Sequence, residues 1–203
     1  MRKLLTNRGM TYVELIVVLS IFSIITSIAL FDYKSFEQKT NLQILAGQIA
    51  LKISEAQRNA LSGAYPSSGA VSADWKPSYG IYFQLDAPGG EKAFIYYADL
   101  DQSGDYSDPD FCPAPGSEVE CLNKLTITGN NRISEIRLYS ADENIPPTPA
   151  RNLLLNFTRP DSRATMYSTA QDSGIARAEV VLLNAQNQTN IIKAYPSGRV
   201  EVQ

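Results

Sequence analysis

The chain opens with an apolar run whose pattern differs from everything after it. Between Met10 and Phe31 there are 22 residues, and Glu14 is the only charged one. At about 1.5 Å of rise per residue, a helix of this length measures about 33 Å, enough to cross the hydrocarbon core of a bilayer. The pattern therefore predicts a transmembrane helix near the N-terminus.

A helical pattern continues beyond this run. Between Lys34 and Leu61 apolar residues recur every three or four positions, which is typical of an amphipathic helix that lies against a sheet, although the spacing also suits a coiled coil. The stripe consists of Leu42, Ala46, Ile49, Ile53, Ala56 and Ala60. Gly63 and Pro66 are expected to end the helix, since both resist its continuation.

Short β-prone runs separated by turn residues make up the rest of the chain. The predicted strands are Tyr79–Leu85, Ala93–Ala98, Lys124–Thr128, Ile133–Tyr139, Leu153–Thr158, Ala164–Ser168, Glu179–Leu183, Ile191–Tyr195 and Arg199–Val202. Asn144–Pro149 is predicted to be a crossing loop, because its prolines cannot donate to a sheet ladder. The predicted fold class is α+β, with a long N-terminal transmembrane and amphipathic helix packed on a β-rich globular head.

Charge orients the predicted membrane helix. Three basic residues precede the apolar run and Asp32 follows it, so the positive-inside rule places residues 1–9 in the cytoplasm and the C-terminus outside. The prediction is a single-pass protein of the cytoplasmic (inner) membrane. A cleaved signal peptide ending at Ser27-Ile28-Ala29 is the alternative, but the apolar run is long for one and the helical pattern continues past that point.

The composition excludes common catalytic chemistry. The chain has no histidine and no G-x-S-x-G, so neither a Ser/His/Asp nor a Cys/His arrangement can be built. We therefore predict no enzyme and no organic cofactor, and disfavour an exported hydrolase on a membrane stalk. Of 18 basic and 21 acidic residues, 15 and 20 remain from Asp32 onward, and this acidic balance argues against generic binding to a phosphate backbone.

The start of the apolar run carries a motif. Arg8-Gly9-Met10-Thr11-Tyr12-Val13-Glu14-Leu15 resembles the cleavage and methylation motif of type IV prepilins and type II secretion pseudopilins. The resemblance implies a pilin-like fold, a cut by a prepilin peptidase/methyltransferase between Gly9 and Met10, and N-methylation of Met10. It makes Glu14 the assembly residue that pairs with the N-terminal amine of a neighbouring subunit. The chain departs from the family in having Met10 rather than phenylalanine after the cut and no helix-kinking proline near Phe31.

The resemblance also implies a domain division and a function. Residues 1–9 would be the leader peptide, 10–31 the transmembrane and assembly half of the helix, 32–62 its amphipathic half, and 63–203 the periplasmic or extracellular head. Tyr79–Phe83 and Pro196–Val200 resemble the GspH/FimT minor subgroup. The predicted function is a minor pilin or pseudopilin that leaves the membrane for a pilus or secretion filament and contacts other subunits through its N-terminal helix.

A second function is left open by the same resemblance. Some FimT-like minor pilins bind DNA for uptake through basic residues near the C-terminus. The corresponding candidates here are scattered: Arg151, Arg159, Arg163, Arg177, Lys193 and Arg199. Because the head is acidic overall, binding of DNA would be weak and strongly salt-dependent.

An acidic stretch, residues 99–110, predicts a metal site. Its spacing resembles an EF-hand-type loop with alternating oxygen donors and a glycine, Gly104, at the sixth position. The candidate calcium ligands are Asp99, Asp101, Ser103, Asp105 and Asp110. Strand and loop flank the stretch instead of two helices, and a solvated acidic turn is the alternative. A membrane-anchored, calcium-binding exported domain is accordingly another possible function.

Two cysteines follow the acidic stretch. Cys112 and Cys121 lie close together in a region predicted to be exported, where a disulfide persists. We predict a disulfide between them, with two unpaired thiols in a reducing compartment as the alternative.

Overall fold

A computed structural model describes residues 10–66, 74–107, 112, 119–142, 144–171 and 173–203. The chain divides into two units, Met1–Thr40 and Asn41–Gln203. The elements in chain order are α1 (Tyr12–Ser62), β1 (Ser78–Gln84), a short 3₁₀ helix (Gly90–Lys92), β2 (Ala93–Ala98), β3 (Cys121–Thr126), β4 (Arg132–Ser140), β5 (Thr148–Ala150), β6 (Asn152–Thr158), β7 (Ala164–Tyr167), β8 (Ile175–Leu183), β9 (Thr189–Ala194) and β10 (Val200–Val202).

The strands form two five-stranded antiparallel sheets. Sheet 1 has the order β3-β2-β1-β6-β7, and sheet 2 has the order β10-β9-β8-β4-β5. The nine predicted β runs all coincide with strands, with bounds that shift by a few residues. Runs of β-prone residues between turn residues were therefore a sufficient guide to these nine elements.

The main core joins the C-terminal part of α1 to both sheets. All six residues of the predicted stripe are at most 2% exposed, and they belong to one apolar cluster with side chains of sheet 1 and sheet 2. Phe83 and Phe94 of sheet 1 lie in this cluster with ring centroids 5.6 Å apart. The prediction that this face of the helix lies against a sheet is confirmed.

The strand β5 corrects one prediction. Residues 144–149 were expected to form a loop without sheet pairing, yet Thr148 and Pro149 pair with Leu138 and Arg137 of β4. The exception is possible because β5 lies at the edge of sheet 2. At an edge one side of the strand needs no ladder partner, so a proline without an N–H is tolerated.

The predicted fold class and location are wrong, because both depended on a transmembrane helix. No helix in the part of the chain that the structure describes is long and apolar enough to cross a membrane. α1 is long, but it is not a long apolar helix: only 17 uncharged residues separate Glu14 from Asp32. They span about 25 Å, less than the ~30 Å of a hydrocarbon core. The predicted pilin-like α+β fold with a transmembrane helix, and the single-pass position in the inner membrane, are therefore contradicted.

The core predicts a contrast between two isoleucines of α1. Ile53 is 1% exposed and Ile44 is 53% exposed. Ile53→Ala should lower the free energy of unfolding by about 2–5 kcal/mol, because it leaves a cavity in the main core. Ile44→Ala should change it by less than about 0.5 kcal/mol. Urea unfolding followed by the fluorescence of Trp75 measures both, and equal losses would contradict the position of the core.

Candidate functional site

The first candidate site is the apolar segment of α1, residues 12–28, within the unit Met1–Thr40. Its large apolar side chains are between 44% and 76% exposed. They are Tyr12, Val13, Leu15, Ile16, Val17, Val18, Leu19, Ile21, Phe22, Ile24, Ile25 and Ile28. Single exposed apolar residues are ordinary, but a continuous set of this size marks an interaction surface.

Glu14 lies at the beginning of this segment. Thr11 precedes the helix and caps it, since the Thr11 hydroxyl oxygen accepts a hydrogen bond from the Glu14 N–H at 3.3 Å. Glu14 is exposed and lies in the first turn of α1. A negative charge at this position stabilises the helix through its interaction with the helix dipole. Met10 is 65% exposed. The predicted cleavage residue Gly9 lies outside the described residues.

The second candidate site is the acidic centre, formed by Asp99, Asp101 and Glu120. Asp99 directly follows β2 and Glu120 directly precedes β3, and these strands are paired in sheet 1. The pairing continues past the strand ends, because the Ala98 N–H donates to the Glu120 carbonyl oxygen at 3.0 Å. One carboxylate oxygen from each of the three residues lies within 4.8 Å of the other two.

Asp99 is a buried member of the centre, and it anchors the centre to sheet 1. It is 2% exposed, and its Oδ2 accepts hydrogen bonds from the Gly104 N–H at 3.1 Å and the Asn156 amide at 3.3 Å. The Ser78 hydroxyl donates to the same oxygen at 3.3 Å. Oδ1 is buried and has no hydrogen-bond partner. Oδ2 is thus fixed by donors from the sheet and from the loop, while Oδ1 has no hydrogen-bond partner.

The other two carboxylates are oriented by the loop. The Asp101 Oδ1 accepts from the Ser103 N–H at 2.9 Å, and its Oδ2 accepts from the Ser107 hydroxyl at 3.2 Å. Glu120 is 3% exposed, and its two oxygens accept from the Leu100 N–H at 3.0 Å and the Ser107 N–H at 2.8 Å. Backbone amides therefore hold both side chains toward Asp99.

The acidic centre has unequal proton affinities. Burial raises the pKa of Asp99, and it raises the pKa of Glu120 to about 7, with the charges of Asp101 and Asp99 adding to the effect. Burial acts in the same direction on Asp101, but hydrogen bonds from Ser103 and Ser107 outweigh it and lower the pKa of that carboxyl. The low dielectric and the mutual repulsion thus work against three negative charges at one place.

The structure brings together only part of the predicted ligand set. Asp99 and Asp101 converge, whereas Asp105 does not belong to the acidic centre and its Oδ1 accepts a hydrogen bond from the Ser103 hydroxyl at 2.8 Å. Asp110 lies outside the described residues. Glu120 was missed because it stands beyond the linear loop motif. The sequence offered one signal for its position. Glu120 precedes Cys121, and the predicted disulfide with Cys112 brings the chain back to the end of the acidic stretch.

The predicted disulfide is confirmed. Cys112 and Cys121 lie at disulfide distance, with their Cα atoms 5.3 Å apart. Cys121 belongs to a small apolar cluster with Ile95, Tyr97 and Leu154, which is separate from the main core. The disulfide thus fastens the excursion between β2 and β3 onto sheet 1.

The ring of Tyr106 covers this outer cluster. It lies 5.4 Å from the ring of Tyr97 and 5.2 Å from that of Tyr82, measured between centroids. Its hydroxyl oxygen accepts a hydrogen bond from the Cys112 N–H at 3.2 Å. The aromatic contacts and the disulfide therefore act on the same part of the loop.

The chain matches no family model, no curated protein and no solved structure. The resemblance of residues 8–15 to the prepilin motif stays a prediction from sequence. Any function consequently rests on the apolar segment and the acidic centre themselves.

The disulfide generates a stability prediction. The double variant Cys112→Ser/Cys121→Ser should lose about 2–3 kcal/mol of unfolding free energy, because the cross-link no longer restricts the unfolded chain. Urea unfolding with and without reductant measures the effect. Wild type in reductant should behave like the variant, and reductant should leave the variant unchanged. Equal stability of oxidised wild type and variant would contradict the assignment.

Proposed function

We propose that this protein is a structural subunit of a filament of the type IV pilus or type II secretion kind. The exposed apolar segment, residues 12–28, is the observation that carries the proposal. So much exposed apolar surface is favourable only when a partner covers it. The partner that we propose is the same segment in neighbouring subunits.

The polar groups of the segment are compatible with burial in a bundle of helices. The hydroxyls of Ser20, Thr26 and Ser27 donate to the carbonyl oxygens one turn earlier, each at 2.8 Å. These hydroxyls need no partner from another chain, so burying them costs little. Contacts between identical chains that do not close into a ring produce an open helical assembly, which is a filament.

Glu14 is the only charged side chain of the segment, and it selects the partner. A carboxylate enclosed by apolar helices is costly unless a cation pairs with it. In the proposed mechanism a prepilin peptidase/methyltransferase cuts before Met10 and methylates the new amine. The positive amine of one subunit then pairs with the Glu14 carboxylate of its neighbour, which fixes the axial offset between the two helices.

DNA binding, one of the two other functions left open by the sequence, has no specific observation in its favour. Five of the six basic candidates form ion pairs with carboxylates at 2.8–4.0 Å. The pairs are Arg151 with Asp86, Arg163 with Asp161, Arg177 and Lys193 with Glu179, and Arg199 with Glu201. Paired guanidinium and ammonium groups release fewer counterions on meeting phosphate. We therefore propose assembly alone.

The proposal predicts the effect of neutralising one carboxylate. Glu14→Gln should reduce incorporation into filaments by on the order of 100-fold, because it leaves the amine of the neighbouring subunit buried without a counter-ion. Glu37→Gln is the matched control, since Glu37 is an exposed carboxylate on the same helix. Sheared filaments from the producing cells, quantified by immunoblot and electron microscopy, give the measurement.

Two results would contradict the proposal. One is wild-type incorporation of Glu14→Gln. The other is a mature protein whose intact mass retains residues 1–9 or lacks a methyl group on Met10. A loss that is equal for Glu14→Gln and Glu37→Gln would point to general damage to α1 and would also remove the specific role of Glu14.

A further inference from the structure

We propose that Asp99, Asp101 and Glu120 form a calcium site on the outer face of sheet 1. This inference is independent of filament assembly, because it concerns residues of the unit Asn41–Gln203. It replaces the linear loop motif with a ligand set that includes Glu120 from the far side of the excursion.

The unpartnered oxygen of Asp99 is the first observation. This side chain is 98% shielded from solvent, and its Oδ1 has no hydrogen-bond partner although Oδ2 is held by three donors. A buried acceptor without a partner is destabilising, and native structures satisfy almost all of them. The Asp99 carboxylate lies beside that of Asp101, so a cation between them would satisfy this oxygen and offset the repulsion between the two groups.

The convergence of three carboxylates is the second observation. Two of them are almost fully buried, and their oxygens approach to within 4.8 Å. Backbone amides hold Glu120 and Asp101 toward Asp99, so the residues cannot separate to relieve their repulsion without breaking hydrogen bonds. A divalent cation at the centre would turn this repulsion into attraction.

The chemistry of the donors favours calcium. All the donors are oxygens, which suit hard cations. Calcium accepts carboxylates in a flexible geometry, whereas magnesium demands near-ideal octahedral geometry and gives up its waters reluctantly. Three carboxylates whose positions are set by the fold suit the more tolerant ion, and the exposed side of Asp101 leaves room for water ligands.

Trp75 provides a built-in reporter. It is the only tryptophan, it is 5% exposed, and its indole N–H donates to the backbone carbonyl of Asp99 at 2.8 Å. An indole this close to the centre will sensitise the luminescence of terbium, which replaces calcium in oxygen sites. Binding can therefore be measured without relying on stability alone.

The experiment titrates the full chain with Tb³⁺ under tryptophan excitation and then competes with Ca²⁺ or Mg²⁺. Asp101→Asn and Glu120→Gln should each weaken apparent Tb³⁺ affinity by about tenfold or more, since each removes a ligand charge. Asp101 is exposed, so Asp101→Asn tests the site without risk to the core. Asp86→Asn is the control, an exposed carboxylate paired with Arg151, and it should bind like wild type.

A thermal melt supplies the second measurement. Calcium at about 100 times its Kd should raise the melting temperature of the wild type by about 5–10 °C relative to chelator, and should raise that of the two variants much less. Three results would overturn the proposal: no sensitised luminescence that Ca²⁺ displaces, equal binding by wild type and Asp101→Asn, or displacement by Mg²⁺ as effective as by Ca²⁺.

Discussion

The structure depends on the burial of one narrow stripe of α1 by two sheets. Three of the six stripe residues are alanines, which let the helix backbone come close to the strands, while the isoleucines fill the space between. The stripe, Phe83 and Phe94 of sheet 1, and Ile136 of sheet 2 all belong to this core. Without the stripe, the apolar residues of both sheets that lie in this core would lose part of their cover.

The same helix shows what happens where the pattern has no sheet to meet. Residues 12–28 are apolar on all sides instead of along a stripe, and their side chains are exposed. Periodicity distinguishes the two parts: an amphipathic helix completes the core of its own chain, whereas a helix that is apolar all round needs several neighbours. A bundle of like helices would provide such neighbours, and this is the basis of the proposed assembly.

The sequence predicted what depends on local periodicity. The stripe at 42–60 was correct because a spacing of three to four residues reports which face of a helix is buried. Nine strands were correct because runs of β-prone residues lie between turn residues. β5 was missed because its proline reads as a loop signal, and only the edge position permits pairing. The transmembrane interpretation failed because Glu14 was counted inside the run, which made the uncharged stretch seem longer than it is.

The acidic centre was only half predictable for a different reason. Asp99 and Asp101 belong to a readable local motif, but Glu120 joins them through the return of the chain to sheet 1, and no local pattern encodes that return. The antiparallel pairing of β2 with β3 brings residues 99 and 120 together. Contacts that arise from topology require the fold before they can be recognised.

The alternation of β2 explains why a carboxylate is buried there at all. Phe94, Tyr96 and Ala98 belong to the main core, whereas Ile95 and Tyr97 belong to the outer cluster. With a period of two, Asp99 continues the outer row and comes to lie beneath the loop that covers it. The contacts of Tyr106 and the disulfide fasten this cover to sheet 1. The disulfide limits the freedom of the unfolded chain, whereas a cation in the proposed site would stabilise only the folded state. Because the two would act on different states, each would add to the stability of the cover without replacing the other.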